Sequence, residues 1–383
     1  AALSGDNGIL QRASEARDKT ILAAEDEQQK LDDMNSYIDQ MIDENENIES
    51  DELQKQKQQE TLDSLRTLNE EKQFYSIEYT ADYKFDEYLE SGSTNIAETM
   101  EFCSDNLLDG QQVDAILSDI GCTTFSAKTP EGNAIFARNM DLERNTPALI
   151  VKTNPTNGYK SISTSDLGMI VDLKNGIPSN ISDKHKRELL VAPYITVDGM
   201  NEAGVAVAIL LLEDTETTQE TGKVPITATT ILRLILDKAG SVDEAINLVR
   251  NYDMHSEYKN FHFQVTDKTG ASVVIEYVNN ELQIIELEGK SFQVCSNFYL
   301  SPLMEDDNHA SGTAEERYNI AYEELDKVDG ILSEENAMMG LQELSQGTAT
   351  KWSMIYNQTN LTLQIAPNID YGEESRIKLD LIL

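Results

Sequence analysis

The chain has 383 residues and a mass of 42.8 kDa, room for one large domain with an attachment. It carries 69 Asp and Glu against 30 Lys and Arg, a net charge of -39, and its pI is near 4.3. An acidic surface of this kind excludes a nucleic-acid partner and an anionic lipid face, and it names no substrate, because its main effect is solubility. No apolar run reaches the roughly eighteen residues that a bilayer span needs. The chain opens on Ala1 rather than Met, so an upstream part is expected to have been removed.

No glycine lies between Gly8 and Gly92, and every proline lies at or beyond Pro130, so residues 9–72 lack the usual breakers and read as helix. Leu31, Met34, Ile38 and Met41 recur at helical spacing and form one narrow stripe on a face otherwise made of Asp, Glu, Gln and Asn. Such a stripe seeks a partner helix or a shallow groove, which makes self-association through this helix an expectation. Residues 43–60 are charged and Gln-rich, and composition fits a solvated helix and partial disorder equally. Aromatic residues then gather from Tyr75 to Tyr88, marking the start of a folded domain, and a helix is expected over 95–108. After Gly121, alternating or β-branched runs predict strands at 122–127, 134–138, 194–197, 204–212, 262–266, 272–278 and 282–287. Helices are expected at 227–239, 242–252 and 314–326. The pattern predicts an α+β domain with an antiparallel sheet. The expected division is a helical, acidic stalk or propeptide-like segment at 1–72, a pro-segment at 73–121 and a catalytic domain at 122–383.

The chemistry concentrates around Cys122. The turn residues Thr129-Pro130-Glu131-Gly132-Asn133 separate two strand-like halves and predict a hairpin. Pairing Thr129 with Asn133 sets Cys122 opposite Met140 and puts Arg138 diagonally beside it on the same face. Asp141 falls on the other face unless a bulge or the end of pairing intervenes. A cation next to a thiol favours the thiolate. If the bond before Cys122 is cut, its new α-amino group, with a reference pKa of about 7.7 to 8.0, becomes a base attached to the nucleophile itself. No histidine is then required, and His185, His255, His262 and His309 show neither metal spacing nor a catalytic signature. Gly121 lacks a Cβ and would permit the strained backbone and close approach that attack on its carbonyl needs. Three cysteines are too few for a disulfide scaffold or a zinc site. With Cys122 as nucleophile, Cys103 and Cys295 either pair or stay as buried thiols. Taken alone, Gly121-Cys122 also describes a buried structural thiol beside a turn, the commoner case.

From Tyr83 onward the sequence resembles the linear amide C-N hydrolases, the superfamily of choloylglycine hydrolase, penicillin V acylase, acid ceramidase and N-acylethanolamine amidase. The resemblance rests first on Cys122 followed by Arg138 and Asp141 at the family's spacing. It extends through Asp198-Gly199-Met200-Asn201-Glu202-Ala203-Gly204-Val205, the helical Ile231-Leu232-Arg233 and Asp243-Glu244-Ala245, and the stretch from Phe261 to Glu276. Cys295-Ser296-Asn297-Phe298, Glu316-Arg317-Tyr318 and Trp352 to Asn357 complete it. What the resemblance implies is an αββα Ntn-hydrolase sandwich with an N-terminal helical extension. Cys122 would attack an amide carbonyl, its amine would shuttle the proton, and Arg138 and Asp141 would hold both groups. Asn297 would stabilise the oxyanion and Arg317 would support it. No cofactor and no metal are implied, and the partner is a small-molecule N-acyl amide substrate. Bile-salt-hydrolase-like members carry a second Asn where this chain has Leu211, and they have almost no segment ahead of the Cys. Both departures lean toward a lipid-amide substrate. Acyl transfer to an amine and a surface or filament protein that keeps only the fold are the rival readings.

The first residues, from Ala2 to Leu10 with the charged helix behind them, are similar to the region after the hydrophobic helix of type IV pilin-like proteins from Gram-positive bacteria. An ordinary linker or propeptide helix fits as well. The pilin-like reading implies an extracellular or cell-surface enzyme, in contact with the membrane only through a missing upstream anchor.

Overall fold

The computed structural model describes residues 8–116, 121–144, 146–212, 216–257, 259–304 and 312–381. The chain forms two compact units, Ala1–Gln56 and Lys57–Leu383.

The first unit is helical, and its helix α1 runs Ile9–Asp63, so the stretch that composition left open is helix too. Side-chain pairs four residues apart, such as Lys30 with Asp26 and Gln28 with Asp32, support it locally. Leu31, Met34, Ile38 and Met41 are 53, 60, 49 and 40% exposed, so the stripe is on the surface of this helix and buries nothing by itself. No helix among the described residues is long and apolar enough to cross a membrane.

The helix stops short of residue 72. Leu62 is buried and Leu65 and Leu68 pack on the core, which draws Arg66–Asn69 into an edge strand, β1, against β2 (Phe74–Tyr79). Tertiary packing there overrides helix propensity. Then follow α2 (Phe85–Ser91), α3 (Ile96–Leu107), and the strands β3 (Gly121–Lys128), β4 (Ala134–Asp141), β5 (Ala148–Thr153) and β6 (Ser161–Asp166). A short helix α4 (Asp183–Arg187) runs into a 3-10 helix at Glu188–Ile195, and β7 (Thr196–Asn201) and β8 (Ala206–Leu212) follow. Tyr194, expected in a strand, lies in that 3-10 segment. All its residues are buried, and an apolar run without periodicity does not distinguish helix from strand. Three short strands, β9 (Thr217–Thr218), β10 (Val224–Thr227) and β11 (Tyr252–Ser256), flank α5 (Ala228–Lys238) and α6 (Val242–Val249). The chain closes with β12 (Asn260–Thr266), β13 (Ser272–Val278), β14 (Glu281–Glu286), β15 (Gln293–Ser296), α7 (Ala314–Lys327), α8 (Glu334–Glu343), β16 (Thr350–Asn357), β17 (Thr362–Pro367) and β18 (Ile377–Asp380).

These elements make four layers. A nine-stranded sheet, ordered β1-β2-β5-β6-β7-β8-β12-β13-β14, faces a six-stranded sheet, ordered β15-β3-β4-β16-β17-β18. Pairing is antiparallel except between β2 and β5, and between β10 and β11 in the small third sheet. Helix α5 lies on β7 and β8 of the large sheet, with α6 beside it, while α7 and α8 cover β3, β4, β15 and β16 of the other. This is the expected αββα sandwich, with β3 meeting β8 between the sheets. A main core fills the space around the large sheet, and Phe125, Ile135, Ala137, Leu325 and Leu341 belong to a second core under α7 and α8.

Asn201 ties the large sheet to its helix. Its Oδ1 accepts from the N–H groups of Ala203 and Val205 at 3.1 and 3.0 Å, and its Nδ2 donates to the carbonyls of Leu236 and Ala239 at 3.1 and 2.7 Å. Asn201→Ala strips partners from buried backbone groups and is expected to cost about 3 kcal/mol in urea unfolding, since one unsatisfied buried group costs about 1 to 3. A loss below about 1 kcal/mol would show that water replaces the side chain.

Candidate active site

The β3–β4 hairpin forms as its turn residues dictate. Thr129 N–H donates to the Asn133 carbonyl at 2.8 Å, and Gly132 adopts a φ of 90°, which a Cβ would strain. Cys122 is therefore paired with Met140, and Gly121 with Asp141. Cys122 and Arg138 are both fully buried, on the face of the hairpin that looks toward the large sheet. The guanidinium spans the gap: Nη2 lies 3.0 Å from Cys122 Sγ and donates to the Ile209 carbonyl at 3.2 Å, while Nη1 donates to Asp198 Oδ2 at 2.6 Å. Asp198 is held in turn by Tyr356 Oη at 2.5 Å and Trp352 Nε1 at 3.3 Å. A buried ion pair needs such extra hydrogen bonds to offset its desolvation.

The backbone of Cys122 is held as closely as its thiol. Its N–H donates to Asn297 Oδ1 at 2.7 Å, and its carbonyl accepts from Arg317 Nη1 at 2.7 Å and from Ser296 Oγ at 3.2 Å. Asn297 follows β15, which pairs with β3, and its Nδ2 donates to the Leu211 carbonyl at 2.9 Å. Arg317 reaches inward because α7 buries Ala314, Arg317, Ala321 and Leu325, one stripe at helical spacing. Its guanidinium also contacts Thr123 Oγ1 and lies 3.2 Å from Asn297 Oδ1.

Asp141 follows the strand's alternation to the other face, and pairing between β4 and β16 is irregular there, between Thr350 and Trp352. Its carboxylate accepts from Thr350 Oγ1 at 2.6 Å and Gln346 Nε2 at 2.9 Å, and Arg317 Nη1 approaches to 3.5 Å. Arg317 thus links Asp141 to the backbone of Cys122. Burial pushes the Asp141 carboxyl above its ordinary range, against the pull of Thr350 and Arg317.

Two expectations need correction. Burial outweighs the pull of Arg138, so the Cys122 thiol is pushed up to about 11 rather than lowered. Gly121 is not among the residues with positive φ, so the left-handed freedom that glycine alone has is not used there. Gly121 is instead closely packed on Asp141, since a Cβ there would come within 3.2 Å of Asp141 Cβ and of its carbonyl oxygen. Cys103 and Cys295 are both free and buried, and Cys295 Sγ lies 3.5 Å from His262 Nε2, inside a fully buried His262–Glu276 pair.

The structure brings Cys122, Arg138, Asp141, Asn297 and Arg317 together, flanked by Gly121. Sequence reasoning gave no role to Asp198, Ser296, Thr350 or Tyr356, whose contacts with the site are long-range. Leu211 enters through its carbonyl, which accepts from Asn297 Nδ2.

Residues 122–297 match the model of the linear amide C-N hydrolases, choloylglycine hydrolase family. No curated protein matches the chain by sequence. Among solved structures, the chain is similar to a C2A mutant of conjugated bile acid hydrolase from Clostridium perfringens, at 17% identity and a TM-score of 0.49, over 68% of this chain and 92% of that one. It is also similar to penicillin V acylase from Agrobacterium tumefaciens, at 15% identity and 0.47, over 68% and 91%. A Caenorhabditis elegans ortholog of N-acylethanolamine-hydrolyzing acid amidase aligns at 14% identity and 0.40, over 67% and 100%. The segment that opens at Cys122 and closes at Asn297 is thus the part of the chain that matches the linear amide C-N hydrolases, choloylglycine hydrolase family, and that match supports a hydrolase acting on linear amide C–N bonds.

Proposed function

We propose that the chain is a proenzyme that cuts its own Gly121–Cys122 bond and then uses Cys122 as an N-terminal nucleophile on the amide of an N-acyl compound. The observation that carries this reading is the convergence on one residue: Arg138 on its sulfur, Asn297 on its nitrogen, Arg317 and Ser296 on its carbonyl. A structural thiol needs none of these.

In the self-cleavage, Cys122 Sγ adds to the Gly121 carbonyl carbon, and the peptide nitrogen departs as the Cys122 amine, leaving a thioester. Water then hydrolyses the thioester to the Gly121 carboxylate and the free thiol. In turnover, Sγ adds to the substrate carbonyl while the amine takes its proton and passes it to the departing amine. Water releases the acyl group as a carboxylic acid, with the amine as base. Arg138 stabilises the thiolate. Asn297 Oδ1 keeps the nucleophile's nitrogen in line, and its amide group is the expected oxyanion donor. Asp141 acts through Arg317.

The substrate is an acyl chain on a small amine or amino acid, of the lipid-amide type. Supporting this are Leu211 in place of a second asparagine and the long segment ahead of Cys122. An extracellular place is supported by the pilin-like N-terminal resemblance alone.

The test combines intact mass, N-terminal sequencing and an N-acyl amide panel at pH 5 and pH 7. A second N-terminus at Cys122 together with release of free amine is expected. Product that depends on added amine would mean acyl transfer instead. A chain that stays whole under every condition and releases nothing would sink the proposal.

A further inference from the structure

After β6 the chain makes a 3-10 turn at Leu167–Met169 and reaches Asp172. Helix α4 is capped by Ser182, whose side chain accepts from His185 N–H, and it continues without a break into the 3-10 segment that starts at Glu188. His185 and Glu188 are three residues apart on helical backbone and share a face. One ligand-type atom from each of Asp172, His185 and Glu188 lies within 4.8 Å of the others, and His185 Nε2 is 3.5 Å from Asp172 Oδ2.

A surface ion pair accounts for Asp172 and His185, but not for Glu188. That residue is 1% exposed, and its Oε2 has no hydrogen-bond partner. A buried carboxylate without a partner is costly. Burial first, then the nearby Asp172 carboxylate, pushes Glu188 up to about 7, with Asp114 adding to the negative field and His185 and Lys184 opposing it. No metal spacing was legible at the histidines, because the third donor, Asp172, lies outside the helix that carries His185 and Glu188.

We infer that Asp172, His185 and Glu188 form a binding site for a divalent first-row transition cation, with zinc as the reference ion. Two carboxylate oxygens and one imidazole nitrogen are zinc-type donors, whereas calcium and magnesium favour oxygen alone. An ion would take the Glu188 Oε2 lone pair and balance both carboxylates. Tetrahedral ligands about 2.0 to 2.2 Å from an ion lie roughly 3.3 to 3.6 Å apart, a spacing that His185 and Asp172 already have at 3.5 Å. Asp172 and His185, with side chains 49% and 37% exposed, have room to swing inward.

The position gives the ion a consequence. Val171 N–H donates to the Asp114 carbonyl at 3.0 Å, and Ile116 N–H to the Met169 carbonyl at 2.9 Å. The same ladder that carries Asp172 therefore holds residues 114–116, close in sequence to Gly121. An ion bound there stiffens this stretch and alters the rate of self-cleavage. That last step rests on the proposed function, while the binding itself does not.

Binding is measured on the full chain carrying Cys122→Ala, stripped with EDTA and titrated with zinc by calorimetry in excess magnesium, which occupies the acidic surface. One zinc per chain and a rise in melting temperature are expected. Glu188→Gln and His185→Ala should each weaken binding at least tenfold, and Glu188→Gln, which removes a costly buried charge, should not lower the urea midpoint in the absence of metal. If His185→Ala fails to fold, Glu188→Gln decides alone. No saturable binding, or binding that survives Glu188→Gln, overturns the site. If zinc binds yet the Cys122 chain is never cut, the metal site stands and the self-cleavage falls.

Discussion

Cys122→Ala is expected to leave one full-length chain and no amide turnover, whereas the parent chain divides before residue 122. Alanine removes the sulfur that the proposed self-cleavage requires, and it leaves the hydrogen bonds to the Cys122 nitrogen and carbonyl in place because these are backbone groups. The site should remain folded and inert. Cys122→Ser keeps an attacking oxygen but a far weaker acid, and should cut more slowly by several orders of magnitude. Intact mass and N-terminal sequencing over days separate the three chains. A cut before residue 122 that persists in Cys122→Ala would mean an outside protease does the processing.

The same reaction should depend on pH in a definite direction. In the uncut chain the Cys122 thiol is pushed up to about 11, mainly by burial and against the pull of Arg138. At pH 7 the thiolate fraction is then about one in ten thousand, and it grows about tenfold for each pH unit until the thiol titrates. If thiolate attack limits maturation, the logarithm of the cleavage rate rises with a slope of about one between pH 6 and pH 9. A rate that rises on acidification instead would point to protonation of Asp141, whose carboxyl is also raised by burial, as the gate.

The hairpin half of the site was legible in the sequence because its contacts are local. Turn residues set the register, and the register set Cys122 opposite Met140 with Arg138 on the same face. Asn297 and Arg317 were not legible from spacing. They arrive on a distant strand end and on a helix, and only the family resemblance pointed to them. Asp198 stood within a quoted motif, but its role as partner of Arg138 appears only when β7 of one sheet faces β4 of the other. The thiol's dormancy was misread for a related reason, since a sequence shows a neighbouring cation but not the burial that outweighs it. The end of α1 at Asp63 failed similarly, because edge pairing with β2 competes with helix propensity and leaves no mark in composition.

That buried pair sets the second large effect. Arg138→Met is expected to lower kcat by at least about 10² to 10³, the range for losing one preorganised donor at a reacting centre. It also leaves the Asp198 carboxylate without its cation, at full burial, which costs about 3 to 5 kcal/mol of stability. The two losses have different causes and can be separated. Asp198→Asn removes the charge and keeps one acceptor oxygen, which serves the short bond from Tyr356 at the expense of the longer one from Trp352. In the double variant Arg138→Met, Asp198→Asn, both charges are gone, so stability should recover by about 2 to 3 kcal/mol over Arg138→Met alone, a coupling typical of residues in contact. Activity should not recover, because the cation beside Cys122 Sγ is then gone. Urea unfolding and kcat/KM on the four chains make the measurement. If the double variant regained activity along with stability, Arg138 would be a packing residue and the thiolate would draw its support from elsewhere.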